Sequence, residues 1–227
     1  MKNKLQAFTM AEVLITLGII GVVAAMTLPT LVNKAEKYIL KQQFKKTYNV
    51  LQNVLMKVYE EYGTNYDCYY EVKTDGSTGQ VAAQQCTLFF NHFEKVLKVN
   101  SVCVDKAYQR GCIPKYKGYD TVSKEQNPDV SDDYLKRQCP GYFENAILNK
   151  TRAFVLSDGT IIVRYHGNMP LFMVDINGNK SPNKWGYDVF SFNLQMQNNQ
   201  LRLMPDSCFR VEKGGVRTDV MLKELYK

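Results

Sequence analysis

The chain lacks several signatures that would fix a function at once. No two of its six cysteines are spaced C-x-x-C, which argues against a zinc ribbon and against a thioredoxin-like redox pair. It has no G-x-S-x-G, no H-E-x-x-H and no glycine-rich phosphate loop. Its only two histidines, His92 and His166, stand apart from any recognisable nucleophile motif. Asp158, in an Asp-Gly pair, reads as a turn former before it reads as a general base. No block of five or six basic residues occurs. The net charge of +7, from 29 Lys and Arg against 22 Asp and Glu, is spread along the chain. That pattern disfavours nucleic-acid binding and suits an anionic membrane surface at least as well. With 14 Gly and 7 Pro in 227 residues the chain is not collagen-like, and its 45% apolar content excludes disorder. The length fits one domain, or one plus a small appendage, and supports a core without a metal or disulfide staple.

What is present begins at the N-terminus. Met1 to Ala7 is short and polar, with Lys2 and Lys4. Val13 to Asn33 then gives 21 residues without a charge, mostly Leu, Ile, Val, Ala, Gly and Met. As a helix this run spans roughly 30 Å, the thickness of a bilayer's hydrocarbon core. It is longer than the apolar part of a secretory signal peptide, and no small-residue cleavage site follows it. A membrane-spanning helix is therefore expected. Glu12 sits at the edge of the run, where a carboxylate is costly unless it reaches water or finds a positive partner.

These residues resemble a known family. Ala7-Phe8-Thr9-Met10-Ala11-Glu12-Val13-Leu14-Ile15-Thr16-Leu17, continuing Gly18 to Ala25, is similar to the class III signal of type IV pilins and type II secretion pseudopilins. The likeness combines a basic leader, a small residue, Phe, a hydroxyl residue, Glu four residues after the Phe, and an unbroken apolar helix. Pro29 also matches, at the place where many pilins kink. Most of the family has Gly where this chain has Ala7.

The resemblance implies cleavage between Ala7 and Phe8 by an inner-membrane prepilin peptidase, then N-methylation of Phe8. It implies that Glu12 approaches the Phe8 ammonium of a neighbour in a filament. Such a pair attracts strongly in a low-dielectric bundle, whereas either charge alone is expensive there. The implied partners are the peptidase, identical or related subunits, an inner-membrane assembly platform and lipid. The implied location is the bacterial inner membrane, single pass, with a cytoplasmic N-terminus and a periplasmic head, then the filament or cell surface. The positive-inside rule does not decide the orientation, because Lys34, Lys37 and Lys41 follow the span.

From Val32 to Tyr62 there is no Gly or Pro. Phe44, Tyr48, Leu51, Leu55, Val58 and Tyr62 make a helical apolar stripe, and Gly63 and Asn65 offer a stop. One helix over 13–62 is expected, about 75 Å long, bent at Pro29. Its second half is amphipathic and suits packing on the chain's own sheet. Gly18, Gly21, Ala24 and Ala25 allow close helix approach.

The remainder reads as a head. Residues 74–79 and 118–131 read as loops, Leu88 to Val99 as a short helix, and Tyr134 to Leu148 as a helical turn broken by Pro140-Gly141. Ala153–Leu156, Ile161–Tyr165, Leu171–Asp175, Val189–Leu194 and Gln200–Leu203 read as strands, with a hairpin at 157–160 and a turn at Asn198-Asn199. The segments at 174–178 and 182–190 resemble pseudopilin heads. The expected fold is α+β: a long transmembrane-plus-amphipathic helix on a small antiparallel sheet, as in the pilin-like roll, with a disulfide-tied, loop-rich insertion. The divisions are 1–7 leader, 8–33 membrane half, 34–62 amphipathic half, 63–150 cysteine-containing region and 151–227 sheet.

Cys68, Cys86, Cys103, Cys112, Cys139 and Cys208 read as disulfides of an oxidising compartment, the alternative being reduced thiols in a cytosolic protein. Six cysteines allow 15 pairings, and Cys103 with Cys112 is favoured as a short loop. Asp175, Asn177 and Asn179, with Asp188, are candidate calcium ligands, since oxygen ligands alternate in such loops. An ordinary turn is the alternative, and no other cofactor is indicated. The expected function is a structural filament subunit, pilin-like or pseudopilin-like, and not an enzyme. The rival is a membrane-tethered binding module at a filament tip that recognises DNA, an exported protein or a surface.

Overall fold

Apolar periodicity in the first 62 residues resolves into a single helix, α1, Met10–Tyr62. The structure, a computed structural model, describes residues 9–63, 66–72, 78–80, 83–208 and 210–225. Residue contacts divide the chain into two units that meet between Ile39 and Leu40. In the first unit α1 contains a segment long and apolar enough to cross a membrane, and none of that segment is buried. Pro29 lies inside the helix. Its missing N–H costs the bond to the carbonyl four residues earlier.

In the second unit, α1 buries Phe44, Thr47, Leu51, Val54, Leu55 and Val58. The expected stripe is therefore real, except that Tyr62 stays exposed. The helix stops where Gly63 adopts φ +82° and its N–H bonds the Tyr59 carbonyl at 3.1 Å. This is an αL terminus that costs Gly no steric penalty.

Eight strands form one sheet among the described residues. They are β1 (Tyr70–Val72), β2 (Thr78–Gln80), β3 (Val99–Cys103), β4 (Ala153–Leu156), β5 (Ile161–Arg164), β6 (Leu171–Asp175), β7 (Val189–Gln197) and β8 (Gln200–Pro205). The order is β2-β1-β7-β6-β5-β4-β3, with β8 also on β7. β7 pairs with β6 through 189–193 and with β8 through 192–197. Phe192 and Asn193 pair with both, so β6 and β8 occupy opposite edges of β7. β1 joins β7 in parallel at Gln195 and Met196, and the other pairings are antiparallel. The five C-terminal strands fall where the alternation puts them, and Asn198 and Asn199 turn between β7 and β8 at φ 50° and 59°.

Alternate side chains fill two cores. Phe154, Ile162, Phe172, Val174, Phe190, Phe192 and Leu194 pack on one face with Phe44, Leu51 and Leu55 of α1. The helix α2 (Cys86–Val96) adds Phe89, Phe90 and Phe93 to that face. Ala153, Ile161, Val163, Leu171, Met173 and Val189 face the other way. They meet a layer made by α3 (Tyr119–Gln126), α4 (Asp132–Gln138), a 3₁₀ turn at Pro140–Tyr142 and α5 (Glu144–Asn149). Burial on both faces explains why β6 runs apolar from Leu171 to Val174 and has every residue buried. Each such large side chain contributes about 1.5–3 kcal/mol.

Four expectations need correction. Residues 118–131 are not one loop, because Tyr119 and Val122 pack inward from α3. The helix expected to reach Val99 ends at Val96, and Val99 opens β3. The region 63–150 is not chiefly a loop-rich insertion, since it supplies three strands, four helices and much of the second core. A C-terminal helix, α6 (Thr218–Leu225), was not foreseen, and it buries Met221 and Leu222. The loop read at 74–79 includes β2 at its end, and residues 73–77 lie outside the described residues.

Three disulfides join Cys68 to Cys86, Cys103 to Cys112 and Cys139 to Cys208. The short Cys103–Cys112 loop is the one the spacing favoured.

Candidate functional site

The start of α1 is built by its own sequence. Thr9 is the residue before the first helical turn, and Glu12 lies three further on. The Thr9 N–H and the Thr9 hydroxyl both donate to Glu12 Oε2 at 2.8 Å, and the Glu12 N–H donates to Thr9 Oγ1 at 3.2 Å. This reciprocal pair is a capping box, which satisfies helix N–H groups that have no intrahelical partner. A negative carboxylate there also suits the positive end of the helix dipole. Thr-x-x-Glu was a legible signal for this partnership, although the reading of Glu12 as an isolated carboxylate passed over it. Ala7 and Phe8 lie outside the described residues.

Beyond Glu12 the surface is apolar all round. Leu14, Ile15, Leu17, Ile19, Ile20, Val22, Val23, Met26, Leu28 and Leu31 are each more than half exposed. Two hydroxyls within the stretch are internally satisfied. Thr16 Oγ1 donates to the Val13 carbonyl and Thr27 Oγ1 to the Val23 carbonyl, both at 2.9 Å. Such back-bonding lets a hydroxyl sit in hydrocarbon without an unpaired donor. The segment is long and apolar enough to cross a membrane, and none of it is buried.

The candidate calcium ligands lie in the β6–β7 connection. Asp175 ends β6 and Asp188 precedes β7, and both are fully buried. Asp175 Oδ1 accepts from the Asn177 and Gly178 N–H groups at 3.1 and 2.8 Å, and its Oδ2 accepts from the Tyr116 hydroxyl at 2.7 Å. Asp188 accepts from the Asn183 and Lys184 N–H groups at 2.8 and 2.7 Å. The Asn177 amide nitrogen donates to the Ser181 carbonyl at 3.2 Å, and Asn179 is exposed. The structure thus brings Asp175 and Asp188 together but spends their oxygens on N–H and O–H donors, the pattern of a clasped loop. Among the described residues no group of three or more His, Cys, Asp or Glu converges. Burial first, then the neighbouring Asp188 charge, pushes the Asp175 carboxyl up to about 8. Burial also raises Asp188, against the N–H bonds that favour its charge. Tyr116 was missed as a partner, because nothing local ties it to a residue 59 positions away.

The histidines occupy separate places. The His92 ring stacks on Tyr62 at 3.9 Å and shares a hydrogen bond with the Tyr66 hydroxyl, while His166 is exposed. A groove of about 580 Å³ opens between α1 and the β7–β8 hairpin, lined by Tyr48, Gln52, Met56, Tyr59 and Arg202 among others.

Comparison of the chain with protein-family models, with curated proteins and with solved structures gives no match.

Proposed function

We propose that this chain is a structural subunit of a type IV pilus or type II secretion-type filament, held in the inner membrane by α1 until it assembles. The observation that carries the reading is the apolar, uncovered half of α1 with a single carboxylate at its start. A helix of that composition is stable in lipid or among like helices, and in both places it escapes water. A filament of helices lets it exchange one for the other.

In this reading the N-terminal leader ends at Ala7, and Phe8 becomes a methylated N-terminus. Glu12 then serves two partners in turn. In the separate chain its carboxylate closes the Thr9 capping box. In the filament it meets the Phe8 ammonium of a neighbour, where a buried unpaired charge would be strongly unfavourable. The three disulfides suit a head on the oxidising side of the membrane. The sheet with α1 on one face supports the pilin-like roll within this proposal.

The test is Glu12→Val in cells that assemble the filament. Membrane insertion is expected to persist, since the apolar run is lengthened, and recovery of the subunit in sheared filaments is expected to fall at least tenfold. Normal assembly of the variant would remove the role assigned to Glu12.

A further inference from the structure

Beneath the helical layer, four buried oxygens have no hydrogen-bond partner among the described residues. They are Tyr142 OH, Ser191 Oγ, Asn193 Oδ1 and Asp206 Oδ2. Each of these residues is more than nine-tenths buried. The strand register places three of them together. Phe192 pairs with Pro205, so Ser191 lies opposite Asp206 across the β7–β8 ladder, and the Asp206 N–H points to the Ser191 carbonyl. Asn193 is two residues along the same strand and on the same face. Its amide nitrogen donates to the Pro205 carbonyl at 3.3 Å, which leaves Oδ1 as the unpaired end. The other Asp206 oxygen already accepts from the Cys208 N–H at 3.0 Å. Tyr142 comes from the layer above, its ring held edge-on by Tyr165 at 4.8 Å. Burial, then the Asp206 charge, raises the Tyr142 phenol well above its ordinary range, which marks the two as near neighbours.

We propose that these four groups bind one internal water molecule, tetrahedrally, as a permanent part of the fold. The chemistry of the set matches that guest. Asn193 Oδ1 accepts only, as does Asp206 Oδ2 when ionised, while Tyr142 and Ser191 each carry a hydroxyl hydrogen to give. Water offers two donors and two acceptors, the complement of that set. None of the four oxygens hydrogen-bonds another, so a bridging atom is needed to satisfy them, and four unsatisfied buried oxygens would together cost several kcal/mol. Buried waters of this kind are ordinary components of folded proteins and hold about three bonds on average. The water ties three parts of the head: the Pro140–Tyr142 turn, strand β7, and the segment after β8 that Cys208 fastens to Cys139.

Two experiments on the full chain in detergent test this. In a crystal structure that resolves ordered solvent, one peak is expected within about 2.7–3.1 Å of all four oxygens. An empty site would overturn the proposal. So would a peak at about 2.3–2.6 Å with further oxygen ligands, which would be a cation. In solution, Ser191→Thr and Ser191→Val impose nearly the same volume and differ by a hydroxyl against a methyl. The Thr variant is expected to melt about 2–4 °C above the Val variant, the effect of one lost buried hydrogen bond in a chain of this size. A Val variant that melts as high as the Thr variant would overturn the proposal, and if neither folds the density decides.

Discussion

At the scale of single residues, the head stores acid groups in places that favour the proton. Asp175 is pushed up to about 8, by burial and by Asp188, with Tyr116 against it. Asp206 is raised to about 7 by burial, in spite of N–H bonds from Ser207 and Cys208, and it faces Tyr70, Tyr142 and Tyr165. In the unfolded chain both carboxyls titrate near 4. Between those values the folded state binds more protons than the unfolded state. Stability is therefore fully supported below about pH 4 by these two groups and declines as pH rises through 7 to 8. The melting midpoint of the head is expected to fall steadily between about pH 5 and pH 8.5, and Asp175→Asn is expected to flatten that slope. A wild-type midpoint that holds constant or climbs over this range would contradict the assignment.

At the scale of elements, β8 is an outer strand whose free backbone is capped by a helix. Gln52 of α1 reaches it with both ends of its amide. Its nitrogen donates to the Leu201 carbonyl at 3.4 Å, and its oxygen accepts from the Leu203 N–H at 3.2 Å. Tyr48 adds a bond from its hydroxyl to the Leu203 carbonyl at 3.3 Å. An open strand edge invites pairing with another chain, so a side chain that mimics a neighbouring strand blunts it. Gln52→Ala is expected to destabilise the head by about 1–3 kcal/mol, because a half-buried N–H loses its partner. Faster amide exchange at Leu203 in the variant checks the mechanism, and unchanged exchange would assign the edge protection elsewhere.

The same scale shows what could be read from sequence. The stripe on α1 and the five C-terminal strands were legible because their alternation is local and strong. Helix α3 was not, since Tyr-Asp-Thr-Val-Ser-Lys-Glu-Gln offers only Tyr119 and Val122 as large inward anchors. Its neighbour α4 did carry a signal: the Ser131 hydroxyl caps the helix by accepting from the Tyr134 N–H at 3.3 Å, ahead of Asp132 and Asp133. Strand β3 is an edge with three consecutive exposed residues, so it lacks the alternation that marks a half-buried strand. Strand β1 exists through a parallel pairing to β7 more than a hundred residues later, which no local pattern announces. Of the site residues, Glu12 was found by its setting in an apolar run. Its partner Thr9 was written in the capping pattern, and Tyr116 was written nowhere near Asp175.

At the scale of the whole molecule, the three disulfides close separate stretches of chain, none overlapping another. Cys139–Cys208 spans 69 residues and Cys103–Cys112 spans 9. By chain entropy the larger loop contributes about 2 kcal/mol more than the smaller one. It fastens the segment after β8 to the helical layer. In the proposed reading the apolar half of α1 lies in an apolar medium and the disulfide-tied head in an oxidising aqueous compartment, as a membrane-held filament subunit would place them.

The central claim rests on how the N-terminus is processed, and mass spectrometry of the intact chain and its N-terminal peptide, from native membranes without reductant, reads this directly. The account predicts a chain that begins at Phe8, carries one added methyl group, and lacks six hydrogens relative to the fully reduced form, two for each disulfide. A chain that retains Met1 to Ala7 and an unmodified N-terminus would contradict it.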